Sequence, residues 1–331
     1  MHRGIDKYLK MLLELHKVEV LSIALKLKIF IYLEKNEMNL EVLIENINTD
    51  EKNTKILLDA LVMLELVYRN NNFYKNTKVT KDYFIYGSST YCGDVFLYRK
   101  DMLNHIRKSM SELVLNGTAD IVKSKSPKMW KSASKGFLKQ EQKNLISKYV
   151  VNLVQNLKEF PKMKKILDLG CASGILGLEI VKSHTRVKGV LFDFPDVTEV
   201  ASKNIQKYGF EDRVSVLSGD IGHDDIGSGY DLIWCSNIFY FLEDKEEVIQ
   251  KMYDALNPNG VLISAHVEVG EEKNQYEDSF FYFLGLDLQG RDILTPMELS
   301  NIFEEKGFRS INSYSTSNMP MTPTQIHIVK K

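Results

Sequence analysis

The sequence predicts an α/β protein, in which a doubly wound, Rossmann-like sheet follows a mostly helical N-terminal region. Three observations lead there. From Lys165 onward, compact apolar runs alternate with helical stretches. The first of those runs opens into a turn with spaced glycines. The first 85 residues keep helical periodicity until a short hairpin pattern interrupts them. Strand alternating with helix implies parallel strands that carry ligands at their carboxyl ends.

Taken in order, Val18 to Leu33 places Leu21, Ala24, Leu25, Ile29 and Tyr32 near the three-and-four spacing of a buried helix face. A shorter helix over Leu40 to Ile47 ends at Asn48-Thr49-Asp50, and a third over about Asn53 to Leu66 carries Ile56, Leu57, Ala60, Leu61 and Leu64 on one side. Val67-Tyr68-Arg69 and Phe73-Tyr74-Lys75 flank an Asn turn and make a hairpin. Three helices and a hairpin form a winged-helix pattern. Such a domain can bind DNA, but the accessible positions of its third helix offer Lys52, Lys55, Asp59 and Glu65, which make no basic face for phosphates. Pairing of subunits is the expected role. Residues 88–160 read as mostly helical with one breaker at Lys125-Ser126-Pro127, and Gln140 to Leu157 keeps an apolar face. The strand candidates are Lys165 to Leu169, Val187 to Phe192, Val214 to Leu217, Tyr230 to Cys235 and Val261 to Val267; Asn257-Pro258-Asn259-Gly260 stops a helix before the last.

A chain of 331 residues exceeds what one core comfortably serves. The expected division is a dimerisation domain over 1–110, linking helices and pocket cover over 111–160, and the sheet domain over 161–331. A net charge of −1 gives no electrostatic reason to expect nucleic acid or an anionic membrane as partner. The apolar runs are too short to span a bilayer. Cys92, Cys171 and Cys235 are far apart and lack metal-ligand spacing, so they read as free thiols in a reducing, cytoplasmic setting.

The chemistry begins at Asp168-Leu169-Gly170-Cys171-Ala172-Ser173-Gly174. Glycine lets backbone turn sharply and approach a ligand that a Cβ would block. A nicotinamide dinucleotide wants three closely spaced glycines under its pyrophosphate. Here Gly170 and Gly174 are four apart and follow an acidic residue, which suits a ligand bearing an ammonium and a sulfonium. Asp193 ends the second strand 23 residues after Gly170, where a carboxylate meets ribose hydroxyls. Asp220 ends the third, where it can take an adenine amino group while Ile221 packs on the ring.

On these motifs, residues 165–331 resemble class I S-adenosylmethionine-dependent methyltransferases. With Phe192-Asp193-Phe194-Pro195-Asp196-Val197, Gly219-Asp220-Ile221, Ser236-Asn237-Ile238 and Gly290 to Phe308, the whole chain is similar to small-molecule O-methyltransferases with a winged-helix dimerisation domain. The resemblance implies S-adenosyl-L-methionine as methyl donor without a metal, a small and planar aromatic or heteroaromatic hydroxylated acceptor, and an intertwined homodimer. It puts Cys235 and Ser236 with the cofactor, and Asn237, Glu268, Phe280 and Phe283 with the acceptor.

At two positions the sequence departs from that family. The related enzymes carry a catalytic His just after the fourth strand, where this chain has Tyr240, and an orienting acid at the end of the fifth, where it has His266. Tyr240 can be packing or can hold the acceptor by a hydrogen bond. His266 ends a core strand on the ligand side, and an imidazole titrating near roughly 6.5 can serve as base. His266 and Tyr240 are therefore the expected catalytic pair, against the alternative of a satisfied core histidine. Asp292 is nearest to a further acidic residue of the family. The departures leave open N-, S- or C-methylation, a cofactor-binding protein that no longer methylates, and a regulator.

Overall fold

The computed structural model describes residues 4–34, 36–117, 127–320 and 323–331. Lys125 and Ser126 of the expected breaker lie outside them, and Pro127 starts a helix. The chain forms two compact units, Met1–Met102 and Leu103–Lys331, so most of the segment expected as separate linking helices belongs to the second.

In the first unit, α1 (Asp6–Lys26) ends where Lys28 turns left-handed, with φ of 55°, and α2 (Ile29–Tyr32) resumes after it. The single helical face anticipated over Val18 to Leu33 is thus broken. After β1 (Met38–Asn39) come α3 (Leu40–Ile47) and α4 (Glu51–Met63), capped by Asn39 and Asp50, whose side chains accept from the Glu41 and Asn53 amides. The hairpin forms as anticipated, with β2 (Val67–Asn70) antiparallel to β3 (Phe73–Asn76), and β1 adds a third strand beside β3. Ile29, Leu33, Leu43, Leu58, Leu61 and Tyr74 fill the core. Of α1, the C-terminal part enters it through Ala24 and Leu25. Tyr8, Leu9, Met11, Leu12, Leu13 and Leu15 are all more than half exposed. A contiguous apolar face of that kind marks an interface.

The second unit opens with the end of α6 (Gly93–Asn116), then α7 (Pro127–Lys135), α8 (Phe137–Glu141) and α9 (Ser147–Gln155). Residues Gln142–Ile146 between α8 and α9 are π-helical, where the sequence suggested one unbroken helix. The sheet runs in the order β6-β5-β4-β7-β8-β10-β9, with β4 (Lys165–Leu169), β5 (Lys188–Asp193), β6 (Val214–Ser218), β7 (Tyr230–Ser236), β8 (Leu256–Val267), β9 (Arg309–Thr316) and β10 (Thr324–Lys330). β4 through β8 are parallel, as expected; β10 runs antiparallel to both β8 and β9. These last two strands were not anticipated. Helices α10 (Ile175–Lys182), α11 (Pro195–Tyr208), α12 (Lys245–Ala255), α13 (Lys273–Leu288) and α14 (Glu298–Glu305) connect the strands. Chain order reverses between β4 and β7, which opens a crevice at their carboxyl ends.

Candidate active site

The loop after β4 and the turn after β7 meet at that crevice. Gly170 has φ of 73°, and a Cβ there would lie 2.6 Å from Cγ2 of Ile238. Gly174, at 75°, would meet Leu191 at 2.7 Å. Both glycines are needed for backbone shape and for space. Two carboxylates hold the loop. Asp168, 2% exposed, accepts from the Gly177 amide at 2.8 Å in the first turn of α10. Asp193 accepts from the amides of Ala172 and Phe194, each at 2.8 Å. Burial pushes the Asp168 carboxyl up to about 7, against the pull of the Gly177 amide and with help from the charge of Asp193. Burial likewise pushes Asp193 up to about 6, against its two amide donors. Neither has a cation among these partners. Two neighbouring acids so held favour a positively charged neighbour, which would stabilise their ionised forms.

A second set of residues, which the sequence reading missed, fixes the loop from the helical side. Gln142 donates from Nε2 to the Cys171 carbonyl at 3.1 Å and accepts through Oε1 from the Ser173 hydroxyl. Asn204 donates to the Ser173 carbonyl at 2.8 Å and accepts from Lys139 at 2.5 Å. The π turn begins at Gln142, and such turns often mark functional positions. An interruption of this kind leaves no sign in apolar spacing, so the sequence could not show it.

At the third strand end, half-buried Asp220 accepts from the Gly222 amide at 2.9 Å and lies 3.4 Å from Nδ1 of exposed His223; Ile221 packs on the neighbouring apolar cluster. Ser236 ends β7, half-buried. Cys235 does not face the crevice. It is fully buried between Leu167, Ile233 and their neighbours, with its thiol pushed up to about 12 by burial, so its side chain packs and cannot touch a cofactor. Asn237 takes φ of 53°, and its Oδ1 is buried without a hydrogen-bond partner. An orphaned acceptor suits a ligand that brings an N–H donor.

The expected catalytic pair is placed otherwise. His266 is fully buried, and its Nε2 accepts from the Ile238 amide at 3.1 Å. An amide only donates, so Nδ1 carries the proton and faces the Ser264 hydroxyl at 2.8 Å. Burial holds the ring well below its ordinary pKa, and Phe239 stacks on it at 4.3 Å. This imidazole is neutral and its lone pair is occupied; it braces the turn after β7 and is not placed to take a proton. Tyr240, 2% exposed, donates to the Val267 carbonyl at 2.9 Å and accepts from the Val267 amide at 2.5 Å. Its hydroxyl clamps the end of β8, and its one proton is committed to the Val267 carbonyl. Of the two readings for Tyr240, the structure takes packing.

Glu268, expected at the acceptor, accepts from Nε2 of His327 at 2.9 Å, and Nδ1 of His327 faces Ser313 at 2.9 Å. That buried pair ties β8 to β10 and was invisible while β10 was unread. Phe283 turns inward, 4.9 Å from Tyr240, whereas Phe280 is 45% exposed and packs on the more exposed Phe281. Asp292 and Glu298 both engage Lys245. The ring neighbours of the turn are Trp130, 5.2 Å from Phe241, and Arg291, 5.8 Å from the same ring. Among the described residues, no three His, Cys, Asp or Glu side chains converge as a metal-ligand set.

Two family models match this chain: an O-methyltransferase domain over residues 117–309 and an O-methyltransferase dimerisation domain over residues 9–84. The chain is 29% identical over 256 residues to an uncharacterized protein of Methanocaldococcus jannaschii, covering 74% of this chain and 65% of that one. It thus spans just under two thirds of that relative's length. It is 20% identical over 263 residues to a 3-hydroxy-5-methyl-1-naphthoate 3-O-methyltransferase of Streptomyces sahachiroi, covering 78% and 76% of the two. Its fold is similar to that of human N-acetylserotonin methyltransferase solved with SAM, with a TM-score of 0.78 at 18% identity and coverage of 100% and 99%.

Proposed function

This chain belongs to the O-methyltransferase family, and from that premise we propose that it moves a methyl group from S-adenosylmethionine to a hydroxyl of a small planar aromatic, working as a homodimer. The observation that carries the cofactor reading is the pair of neighbouring carboxylates, buried Asp168 and half-buried Asp193, with no cation among their hydrogen-bond partners. A donor bearing a sulfonium and an ammonium supplies the missing positive charge.

In this reading Gly170 and Gly174 bring backbone close to the donor, and Asp193 turns its remaining lone pairs to the ribose hydroxyls. Asp220 takes the adenine amino group, Ile221 flanks the ring, and Ser236 with the Asn237 Oδ1 completes the polar wall. Asp168 acts through the loop and its charge, since its carboxylate is committed to Gly177. The donor, when bound, supplies an electrophilic methyl carbon on sulfur. The chain's residues align the acceptor and keep water out, effects worth roughly 7–11 kcal/mol when orientation is good. For the acceptor, Trp130, Phe241 and Phe283 offer ring faces and edges that favour a flat aromatic. The relative acting on a naphthoate supports that class. For the dimer, the bare apolar face of α1 and the matched dimerisation domain point the same way.

Calorimetry with S-adenosylhomocysteine tests the core of this. The parent chain should bind, and Gly170→Val and Asp193→Ala should lose or severely weaken binding. Equal affinity in all three would remove the cofactor assignment.

A further inference from the structure

At the ligand end of β8, buried side chains form a line of hydrogen bonds that leads out to the surface. Glu268 follows the last residue of β8 and accepts through Oε1 from Nε2 of His327, on β10, at 2.9 Å. A carboxylate only accepts, so Nε2 carries the proton and Nδ1 accepts from the Ser313 hydroxyl at 2.9 Å. Ser300, on α14, lies 3.3 Å from the same nitrogen. Glu268 and His327 are 5% and 1% exposed, whereas Ser313 is exposed on the edge strand β9. Joining the strands does not call for this line, since β8 and β10 already pair from Thr324↔Val267 to Lys330↔Val261. Nor does stability, because buried ionisable pairs add little over apolar side chains of similar volume. What the line does is hold one carboxylate in one orientation, with Oε1 engaged and Oε2 left for a ligand. A base oriented by a second group, itself held by a third, is a recurring arrangement for proton transfer. The carboxylate also lies beside the aromatic wall: Tyr240, which packs on Phe283, is bonded to Val267, the residue before it. Its titratable neighbours are His327, His266 two residues back along β8, Tyr240, and Tyr276 with Glu272 at the start of α13. Burial raises both phenols, and the charge of Glu268 raises them further.

Resting on the methyl-transfer reading above, we propose that Glu268 is the base that takes the acceptor's hydroxyl proton, on Oε2, and that His327, held in turn by Ser313, positions it. Oε2 takes the proton as the hydroxyl oxygen forms its bond to the methyl carbon; the C–S bond breaks, and its electron pair stays on sulfur. The negative charge of the carboxylate and the positive charge of the donor disappear together. Glu268 then passes its proton to water once the products have left. A carboxylate is a weak base toward a resting phenol, but the hydroxyl becomes far more acidic as its oxygen gains the methyl, and the transfer is completed at that point. The substrate class widens accordingly: with a base supplied by the protein, an aromatic hydroxyl needs no acidifying group on its own ring.

Umbelliferone and the weaker acid 2-naphthol test this, with S-adenosylmethionine kept saturating so that titration of Asp168 and Asp193 stays out of the profile. Between pH 4 and 7 both probes are mostly protonated in water, and turnover should follow one midpoint common to the two, because only the carboxylate accepts a proton. That midpoint is read on the parent chain, so it decides whether or not a variant folds. Glu268→Gln keeps an acceptor for His327 and should lower turnover roughly 10²–10⁴-fold at unchanged S-adenosylhomocysteine affinity. Glu243→Gln, at an exposed position after β7, should leave turnover as it is. His327→Leu should raise the midpoint, because a carboxylate without its donor holds a proton more tightly, while His327→Gln keeps an N–H and should restore it. Turnover that instead tracks each probe's own ionisation, parental turnover in a folded Glu268→Gln, or a loss in Glu243→Gln would each overturn the proposal. A midpoint unmoved by His327→Leu would strike out the positioning role. No transfer to either probe by a chain that binds S-adenosylhomocysteine would overturn it too, since a base on the protein serves unactivated hydroxyls such as that of 2-naphthol. Loss of S-adenosylhomocysteine binding by the parent chain would instead sink the functional reading beneath it.

Discussion

On the β4–β5 side of the crevice, Asp168 and Asp193 have amide donors but no cation among their hydrogen-bond partners. On the β7–β8 side, both ring nitrogens of His266, the Tyr240 proton and one Glu268 oxygen are tied to partners inside the protein, and the Asn237 Oδ1 alone of these groups has none. In the first region two acids face no cation, whereas in the second the titratable groups named are each tied to a partner. Unmet demand in a buried site is costly without a ligand, so it persists where a ligand repays it. A saturated group is already spending its interactions on shape. Position at a strand end is therefore weaker evidence for a catalytic role than the state of the group's lone pairs.

The largest expected effect tests the unmet side. Asp193→Ala removes the carboxylate that holds the Ala172 amide and faces the ribose, and Gly170→Val drives a side chain into Ile238. Calorimetry should find S-adenosylhomocysteine binding weakened by at least about 100-fold in both, since a buried charged contact and a steric block each cost about 3 kcal/mol or more. Wild-type affinity in Asp193→Ala would mean that its charge is structural only.

A smaller effect is expected at Gln142, which reaches the same loop from the helical side. Gln142→Ala removes two hydrogen bonds to Cys171 and Ser173 and should weaken S-adenosylhomocysteine binding about tenfold, the equivalent of one net hydrogen bond. A purely structural role would instead lower the melting temperature and leave the dissociation constant unchanged, so both are to be measured.

The pH dependence follows from the two raised carboxyls. Both must be ionised to attract a cationic ligand, so affinity should fall as pH drops through about 7 and then about 6. Stability without ligand should move the other way. The folded protein holds these protons more tightly than the unfolded chain does. The pair's contribution is therefore fully present below about 4 and is lost as pH rises through about 6 to 7. Titration calorimetry from pH 5 to 8, with thermal unfolding alongside, checks both signs. An affinity independent of pH would show that the carboxyls stay ionised throughout.

Much of the fold was legible before the structure. The five parallel strands follow from apolar runs, and the hairpin from Asn71 and Asn72, with Asn71 in the left-handed region at φ of 52°. The turn after β4 was legible as a tight backbone turn because Gly170 and Gly174, both with positive φ, punctuate the end of an apolar run. β9 and β10 escaped notice, since antiparallel strands with mixed polar residues, such as Thr324-Gln325-Ile326-His327 in the interior strand β10, lack the continuous apolar run of a central parallel strand. Without β10 the partner of Glu268 could not be known. Cys235 was misplaced because neighbours along a strand face opposite sides, and the alignment fixed the strand end but not the side. His266 was misjudged for a different reason: residue type and strand position do not reveal whether a backbone amide already occupies a ring nitrogen.

The smallest effect is expected at Tyr240, and it sharpens the contrast most. If its hydroxyl only clamps Val267, Tyr240→Phe loses two buried bonds and leaves the Val267 amide and carbonyl without that partner. That should cost roughly 1–3 kcal/mol of stability, which is a few degrees in melting temperature for a domain of this size. The acceptor should hardly notice, because Phe keeps the ring contact with Phe283 and the turn retains its brace from His266. With umbelliferone as acceptor, the Michaelis constant and turnover should stay within about twofold of the parent, which is less than the loss of one directly held hydrogen bond. A Michaelis constant raised tenfold at unchanged melting temperature would reverse the assignment. It would mean that the hydroxyl leaves Val267 to hold the acceptor, and that saturation on the β7–β8 side belongs only to the state without substrate.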